Sequence, residues 1–509
     1  MILWRYGLAA ALLLLAQAAP AAWTEARSRH FLIYSEQRPA ELKAFAENLE
    51  RFDQAVRRAR SLPDPQLTDS GRVRVYIVAN SRKLNGLYGL PGEGLAGFYR
   101  TDAGGARAFA HRDRGDAWGG DPQSVLFHEY LHHLMLQSLD YALPAWMVEG
   151  TAEFFGTAEV LGDGSVRFGK PPAERSYGLF MKGGLSTREM VGATDQEWDG
   201  RDWESVYARG WLLTHYLTLE PKRQGQLARY VRAIGDGRSA LDAAGAAFGD
   251  LDQLHRDTEK YLRQRTLPAA TIPAASLTPG EVRLRPLSAV ENELMGVRLR
   301  LDSRVTKLTA PDLARDARAL AARNPRSAIA HATHAEAEAK AKRYAEALAA
   351  AERAIALDPG LGKALLLKGQ ALMELGRKQP AATDWKAVRS WFTRANRLDA
   401  DNAEPLLLFY QSYAAEGRAA TANSIEGLLY ARALVPQDDE LRMVATRQLV
   451  GDGRFPEAIR TFGALAYDPH AGQSRTRRMK IMAALKAGDG KQAGQLLKEE
   501  ADELEAKED

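Results

Sequence analysis

The spacing of apolar residues changes several times along the chain, and each change marks a unit. Behind Arg5 runs an unbroken apolar stretch, Tyr6 to Ala16, followed by the small residues Ala16-Gln-Ala-Ala-Pro-Ala-Ala22. A basic start, a short apolar stretch and a small-residue cleavage zone form the pattern of a secretory leader. Residues 1–22 are therefore expected to be a signal peptide, the run falling short of the roughly 20 residues a membrane-spanning helix needs. Alternation and β-branching at His30-Phe-Leu-Ile-Tyr34 and Val73-Arg-Val-Tyr-Ile-Val78 predict strands, with helical spacing from Leu42 to Ala59 between them. Ala96–Arg100 and Ala106–His111 predict two strands around the Gly104-Gly105 turn. From Asp121 to Leu267 the pattern predicts helix almost throughout. Residues 268–308 open with Pro and Ala and then alternate at Val282-Arg-Leu-Arg285 and Val297-Arg-Leu-Arg-Leu301, which predicts a linker with a short strand pair.

From 309 to 509 the chain is Ala-rich and helical, and it repeats. Asn324-Pro325, Asp358-Pro359, Asp399-Ala400, Val435-Pro436 and Asp468-Pro469 each close an apolar helical stretch, at intervals of 34, 41, 36 and 33 residues. A period near 34 with Pro closing each second helix is the pattern of tetratricopeptide repeats, whose stacked pairs leave a groove suited to a peptide or protein partner. The acidic tail, with seven acids against two lysines from Lys498 to Asp509, reads as a solvated last helix or a frayed end.

Composition then narrows the chemistry. With 509 residues the chain is long enough for about three domains. A hydrophobic share of 45% and a charged share of 26% exclude a wholly disordered chain and a multi-span membrane protein. The charge, 69 basic against 65 acidic residues, gives no case for nucleic acid. There are no cysteines, so disulfides and thiolate chemistry are excluded and any metal must be held by His, Asp or Glu.

Such a set is present in Val125-Leu-Phe-His128-Glu129-Tyr-Leu-His132-His133. On a helix, His128 and His132 are four apart and project from one face, so both can hold one ion. Glu129 lies beside them and is placed to act as general base on a zinc-activated water, the His-Glu-x-x-His arrangement of zinc peptidases. His133 falls off that face. A catalytic zinc wants a third protein ligand. Downstream, a second helix carries Trp146-Met-Val-Glu149-Gly-Thr-Ala-Glu153, and the sixteen residues that separate His132 from Glu149 are room enough for a reversal and return. Glu149 is assigned as the third ligand, and Glu153, one turn on, as the group that hydrogen-bonds the far nitrogen of a ligand His.

At these residues the chain resembles the gluzincin superfamily of zinc peptidases. Trp146-Met-Val-Glu149-Gly-Thr-Ala152 is similar to the Trp-Leu-x-Glu-Gly-x-Ala stretch of aminopeptidase-N-like and peptidase MA-like enzymes, where the Glu before Gly is the third zinc ligand. The 149/153 spacing is also similar to that of thermolysin-like enzymes. Val206-Tyr207-Ala-Arg-Gly210 resembles the Tyr-x-x-Gly helix of the same families, which implies that Tyr207 steadies the oxyanion of the tetrahedral intermediate. The resemblance implies an α+β zincin-like domain over 23–267, a β-containing lobe at 23–120 and a helical lobe at 121–267. It further implies that one of the strands at 96–100 and 106–111 pairs with the substrate backbone. The strand motif that grips a free amino terminus in aminopeptidase-N-like enzymes is absent, and His132 to Glu149 is two residues shorter than in that family, so aminopeptidase specificity is not implied.

The sequence thus predicts an exported, periplasmic or extracellular zinc metallopeptidase with one Zn2+ per chain. The repeats recruit a protein substrate or partner, and no stable membrane span remains after leader cleavage. The competing reading is a weak or inactive zinc-binding scaffold whose repeats assemble envelope proteins, and retention of Glu129 favours the enzyme. The peptidase part and the repeats are expected to fold separately, with a cut near 270 tolerated. Gly92-Glu-Gly94-Leu-Ala-Gly97 matches a dinucleotide-binding fingerprint but leads into a strand, so that reading fails. His111 reads as a strand-end residue, His215 as surface or core, and His331 and His334 as repeat-helix residues with no ligand partner.

Overall fold

The computed structural model describes residues 22–92, 95–112, 122–138, 143–180, 184–192, 200–466 and 474–508. The leader, the Asp121 cap, the turn at Asp140 and Tyr141, Glu93-Gly94 of the glycine motif and Asp468-Pro469 lie outside the described residues. No described helix is long and apolar enough to cross a membrane.

The N-terminal lobe opens with β1 (Thr24–Arg27), β2 (Phe31–Ser35), α1 (Pro39–Arg60), β3 (Val73–Val78), α2 (Ser81–Tyr88), β4 (Gly97–Asp102) and β5 (Gly105–His111). There follow α3 (Pro122–Ser138), α4 (Ala145–Gly156), β6 (Glu159–Val160), β7 (Val166–Phe168), α5 (Ser176–Phe180), α6 (Thr187–Gly192) and α7 (Gly200–Leu219). Next come α8 (Gln226–Gly235), α9 (Ala240–Phe248), α10 (Leu251–Leu262), β8 (Ala270–Ile272), β9 (Arg283–Pro286) and α11 (Ala289–Asp302). Six strands form one sheet in the order β4-β5-β3-β2-β1-β9, and β6, β7 and β8 form a small second one. The expected run of helix, almost unbroken over 121–267, is interrupted by the short strands β6 and β7. Within the main sheet β2, β3 and β5 run parallel. Such strands need cover on both faces. Phe31, Ile33, Val75 and Ile77 pack against α1 and α3, while Leu32, Tyr34, Tyr76 and Phe109 pack on the opposite face.

That second face corrects the predicted linker. Residues 283–286 do form a strand, but it pairs with β1 and completes the sheet. Residues 297–301 are helix, not strand: α11 starts at a capping box of Ser288 and Glu291 and continues through them. The alternation misleads because α11 is buried on two sides. Met295 and Leu299 pack on the sheet, and Leu294 and Val297 on the helices that follow. Each such side chain contributes about 1.5–3 kcal/mol on burial. At the helix end, the largely covered Asp302 receives Arg107 at 3.0 Å and a hydrogen bond from Tyr76, with Arg74 at 3.7 Å. Segment 268–308 is thus a structural part of the lobe.

A long helical array follows: α12 (Ala310–Arg323), α13 (Ala328–Lys340), α14 (Tyr344–Leu357), α15 (Gly362–Gly376), α16 (Trp385–Leu398) and α17 (Glu404–Glu416). It continues with α18 (Ala422–Leu434), α19 (Asp439–Gly451), α20 (Phe455–Ala466), α21 (Arg475–Lys486) and α22 (Gly490–Glu508). Asn324, Asp358, Asp399 and Val435 each sit at the C-terminal cap of an even-numbered helix. The repeat-closing positions of the sequence are therefore the turns between helix pairs, and the array is tetratricopeptide-like. The long interval of 41 holds an extra 3-10 turn, Pro380–Ala382, between α15 and α16. The acidic tail belongs to α22 up to Glu508.

These turns also dock on the lobe. Thr68 donates to Asp401 at 2.8 Å from its backbone and bonds Asp399 with its hydroxyl. Ala103, beside β4, is buried with Ala403, Leu407 and Leu428. Thr101 donates to the Gln437 carbonyl at 2.9 Å. The expected separate modules are therefore packed together.

Candidate metal centre

Two helices and the distances between them build the site. Helix α3 is wedged into the core by Leu126, Phe127, Tyr130, Leu131 and Leu134, and Phe127 stacks on Phe52 of α1 with ring centroids 3.8 Å apart. That seating turns His128 and His132 toward α4. On α4, Trp146 and Met147 are fully buried, which orients Glu149 inward, itself with no exposed surface. Two glycines set the next approach. A Cβ on Gly150 would stand 2.3 Å from the backbone of Gly210, and one on Gly210 would meet the Trp146 carbonyl at 2.7 Å. Only glycine lets α4 and α7 lie this close, and the closeness brings Tyr207 of α7 beside the histidines.

The ligand atoms converge. His128 Nε2 and His132 Nε2 are 3.1 Å apart, and Glu149 Oε2 stands 3.4 Å from the first and 3.6 Å from the second. Zinc bonds of about 2.0–2.1 Å in tetrahedral geometry require ligand atoms about 3.3 Å apart. The three donors, two imidazoles and a carboxylate, fit that ion in chemistry and in spacing. The local field fits too. Burial lowers the pKa of His128, but the carboxylates of Glu149, Glu153 and Glu129 outweigh it and the net shift is upward, so the pocket favours positive charge.

Around the triad the structure refines the expectations. Glu153 Oε1 lies 3.7 Å from His128 Nδ1, an ion-pair distance and not a hydrogen bond. Its close partner is Arg175, whose Nε and Nη2 both reach that oxygen, at 2.9 and 2.8 Å. Arg175 also lies over the Tyr207 ring, 4.4 Å from its centroid. It sits in a 3-10 turn, Ala173–Arg175, and no motif in the sequence marks it. The Tyr207 ring stands 6.3 Å from that of His128. Its phenol pKa is raised, by burial first and then by the charge of Glu149, so the hydroxyl keeps its proton and can donate.

His133 faces away from the triad. Burial, with Arg57 and His30 nearby, pushes its pKa down to about 3. Its ring Nδ1 stands 2.6 Å from the Tyr99 hydroxyl and 2.9 Å from the Gln437 side-chain amide. His111 ends β5, as expected. His215 is a core residue held by the Gly169 carbonyl at 3.1 Å and the Tyr261 hydroxyl at 3.0 Å. His331 bonds the Pro325 carbonyl, and His334 pairs with Glu338 at 3.0 Å, a carboxylate the sequence reading did not give it.

A second buried cluster was not legible in the sequence. His30 Nδ1 is 2.8 Å from Glu50 and 3.3 Å from Asp53, and Nε2 is 2.9 Å from Asp64. Arg57 binds Asp53 at 2.8 Å, and Tyr130 donates to the same carboxylate at 2.7 Å. With a guanidinium inside it, this cluster is a satisfied ion network, and through Tyr130 it ties α3 to α1 one residue past Glu129.

No family model matches the chain, and no curated protein matches it. Among solved structures it is similar to the crystal structure of a thermophilic TPR protein of Thermus thermophilus, at 21% identity and a TM-score of 0.30, over 38% of this chain and 98% of that one.

Proposed function

We propose that this protein is a zinc-dependent metallopeptidase that hydrolyses peptide bonds in the cleft between α3, β4 and α7. The carrying observation is the convergence of His128 Nε2, His132 Nε2 and Glu149 Oε2 within 3.1–3.6 Å, with Glu129 on the same helix. When bound, zinc supplies Lewis-acid polarisation and lowers the pKa of water toward about 7. Glu129 accepts the proton of the attacking water and delivers it to the leaving amine as the C–N bond breaks. Tyr207, protonated at neutral pH, donates its hydroxyl hydrogen bond to the oxyanion. Arg175 and Glu153 hold Tyr207 and His128 in place. Of the two strands flanking the Gly104-Gly105 turn, β4 is the one at the sheet edge, where a substrate backbone can pair. The helix pairs offer a groove for a protein substrate or partner, and the leader-like first residues extend the proposal to export into the periplasm or beyond. Digestion of a peptide library by the zinc-loaded full chain tests the reading. Cleavage should require zinc and vanish in Glu129→Gln, whereas a zinc-loaded chain that cuts no peptide would leave the scaffold reading in its place.

A further inference from the structure

The repeat array touches both sides of the candidate cleft. On one side Gln437, in the turn ahead of α19, donates to the His133 carbonyl at 3.1 Å and its amide lies 2.9 Å from the ring Nδ1. The Gln437 carbonyl accepts from Thr101 of β4. Tyr99, two residues back on β4, bonds the same His133 ring and feels the charge of Glu129. On the other side Arg475, the first residue of α21, lies over the Trp203 ring, 5.6 Å from its centroid. Trp203 stands 6.2 Å from Tyr207, itself 6.3 Å from His128. One turn along α21, Arg478 reaches Asp439 at 3.6 Å, so the starts of α19 and α21 stand side by side.

We propose that the starts of α19 and α21 form a rim of the cleft, seated on α3 and β4 through Gln437 and on α7 through Arg475, which restricts the site to extended peptide segments. This rests on the peptidase reading above. A rim anchored at two points is not a lid on one hinge: it admits a strand lying along β4 and excludes a folded surface, unless both seats open.

The experiment uses the zinc-loaded full chain and compares metal removal by free EDTA with removal by EDTA coupled to a bulky polymer. Removal by the coupled chelator should be about tenfold slower, its rate being set by opening of the rim. The difference should disappear in the Gln437→Ala/Arg475→Ala double variant. Hydrogen exchange gives a readout that needs no zinc. Gln437→Ala should raise exchange in the second half of α3, Arg475→Ala in the first turns of α7, and neither should raise it in β3. Gln437→Asn and Arg475→Lys serve if the alanine variants fail to fold. Equal removal rates for the two chelators, or unchanged exchange on both walls, would overturn the rim. Failure to hold zinc with the exchange pattern as expected would instead overturn the metal centre.

Discussion

At the residue scale the site divides its labour among side chains that one substitution can separate. His132→Ala removes a ligand and leaves the cores intact; metal analysis should find most of the zinc lost while circular dichroism is unchanged. Glu129→Gln keeps the size and removes the base, so zinc should stay and turnover should fall by about 10²–10⁴. Tyr207→Phe should keep zinc and lose about 10²-fold in turnover. Arg175→Met leaves Glu153 Oε1 without its two guanidinium hydrogen bonds and Tyr207 without its clamp. Loss of such a supporting group should lower zinc affinity or turnover by about 10–100-fold. Arg175 thereby separates two meanings of the 149/153 spacing. Glu149 meets the histidines directly, whereas Glu153 is spent mainly on an arginine twenty-two residues away.

At the element scale the contacts of α4 with α7 and of α19 with the lobe matter most. Gly150→Ala would push a methyl into the backbone of α7, where nothing flexible can yield. It should destabilise the fold by a few kcal/mol, as overpacking does, and should abolish zinc binding, because Glu149 and Tyr207 depend on that approach. Thermal unfolding and metal content read the two effects. Helix α19 carries a pH dependence. Asp438 caps it by accepting from the Leu441 amide, yet burial, with Glu440, Asp102 and Asp439 adding negative charge, pushes its pKa up to about 7. A raised carboxyl pKa means that the folded state binds the proton more tightly than the unfolded one. The stabilisation is complete below the ordinary value of 3.8 and is lost as pH rises toward 7. The loss is at most about 1.4 kcal/mol per pH unit. Asp438→Asn retains a good cap and should flatten this slope; unfolding curves at several pH values between 4 and 8 would show an unchanged slope if Asp438 were not its source.

At the scale of the whole molecule, the lobe and the array are not separable at residue 270. A chain ending there lacks β9, α11 and Asp302, so β1 keeps β2 but becomes an open edge, one face of the sheet loses the cover of α11, and buried Arg107 loses one of its two carboxylate partners. It should be insoluble or lack cooperative unfolding. A chain ending at 308 keeps those elements and should retain the sheet by circular dichroism. It should still show faster hydrogen exchange in α3, because Gln437 no longer holds His133. Cooperative unfolding of the shorter chain would restore the linker reading.

The sequence by itself determined what is local and periodic. Two histidines one helical turn apart, a carboxylate between them, and a Pro- or Asp-marked turn about every 34 residues are properties of a helix whatever surrounds it. The strands at 31–35 and 73–78 were legible because β-branched and aromatic runs on a sheet buried on both faces carry their own signal, and the strand ending at His111 was legible from the Gly104-Gly105 turn ahead of it. Only the tertiary structure decided the rest. Val297-Arg-Leu-Arg-Leu301 alternates as a strand does, and it is helical because apolar neighbours wait on two sides of it. Arg175, Gln437 and Arg475 carry no motif, since their roles come from partners 22, 304 and 272 residues away. The turns that mark the repeats in the sequence became a docking edge only when the lobe placed Thr68, Thr101 and His133 against them. Periodicity specifies which face of an element is buried; what buries it depends on how the chain returns, which no local pattern encodes.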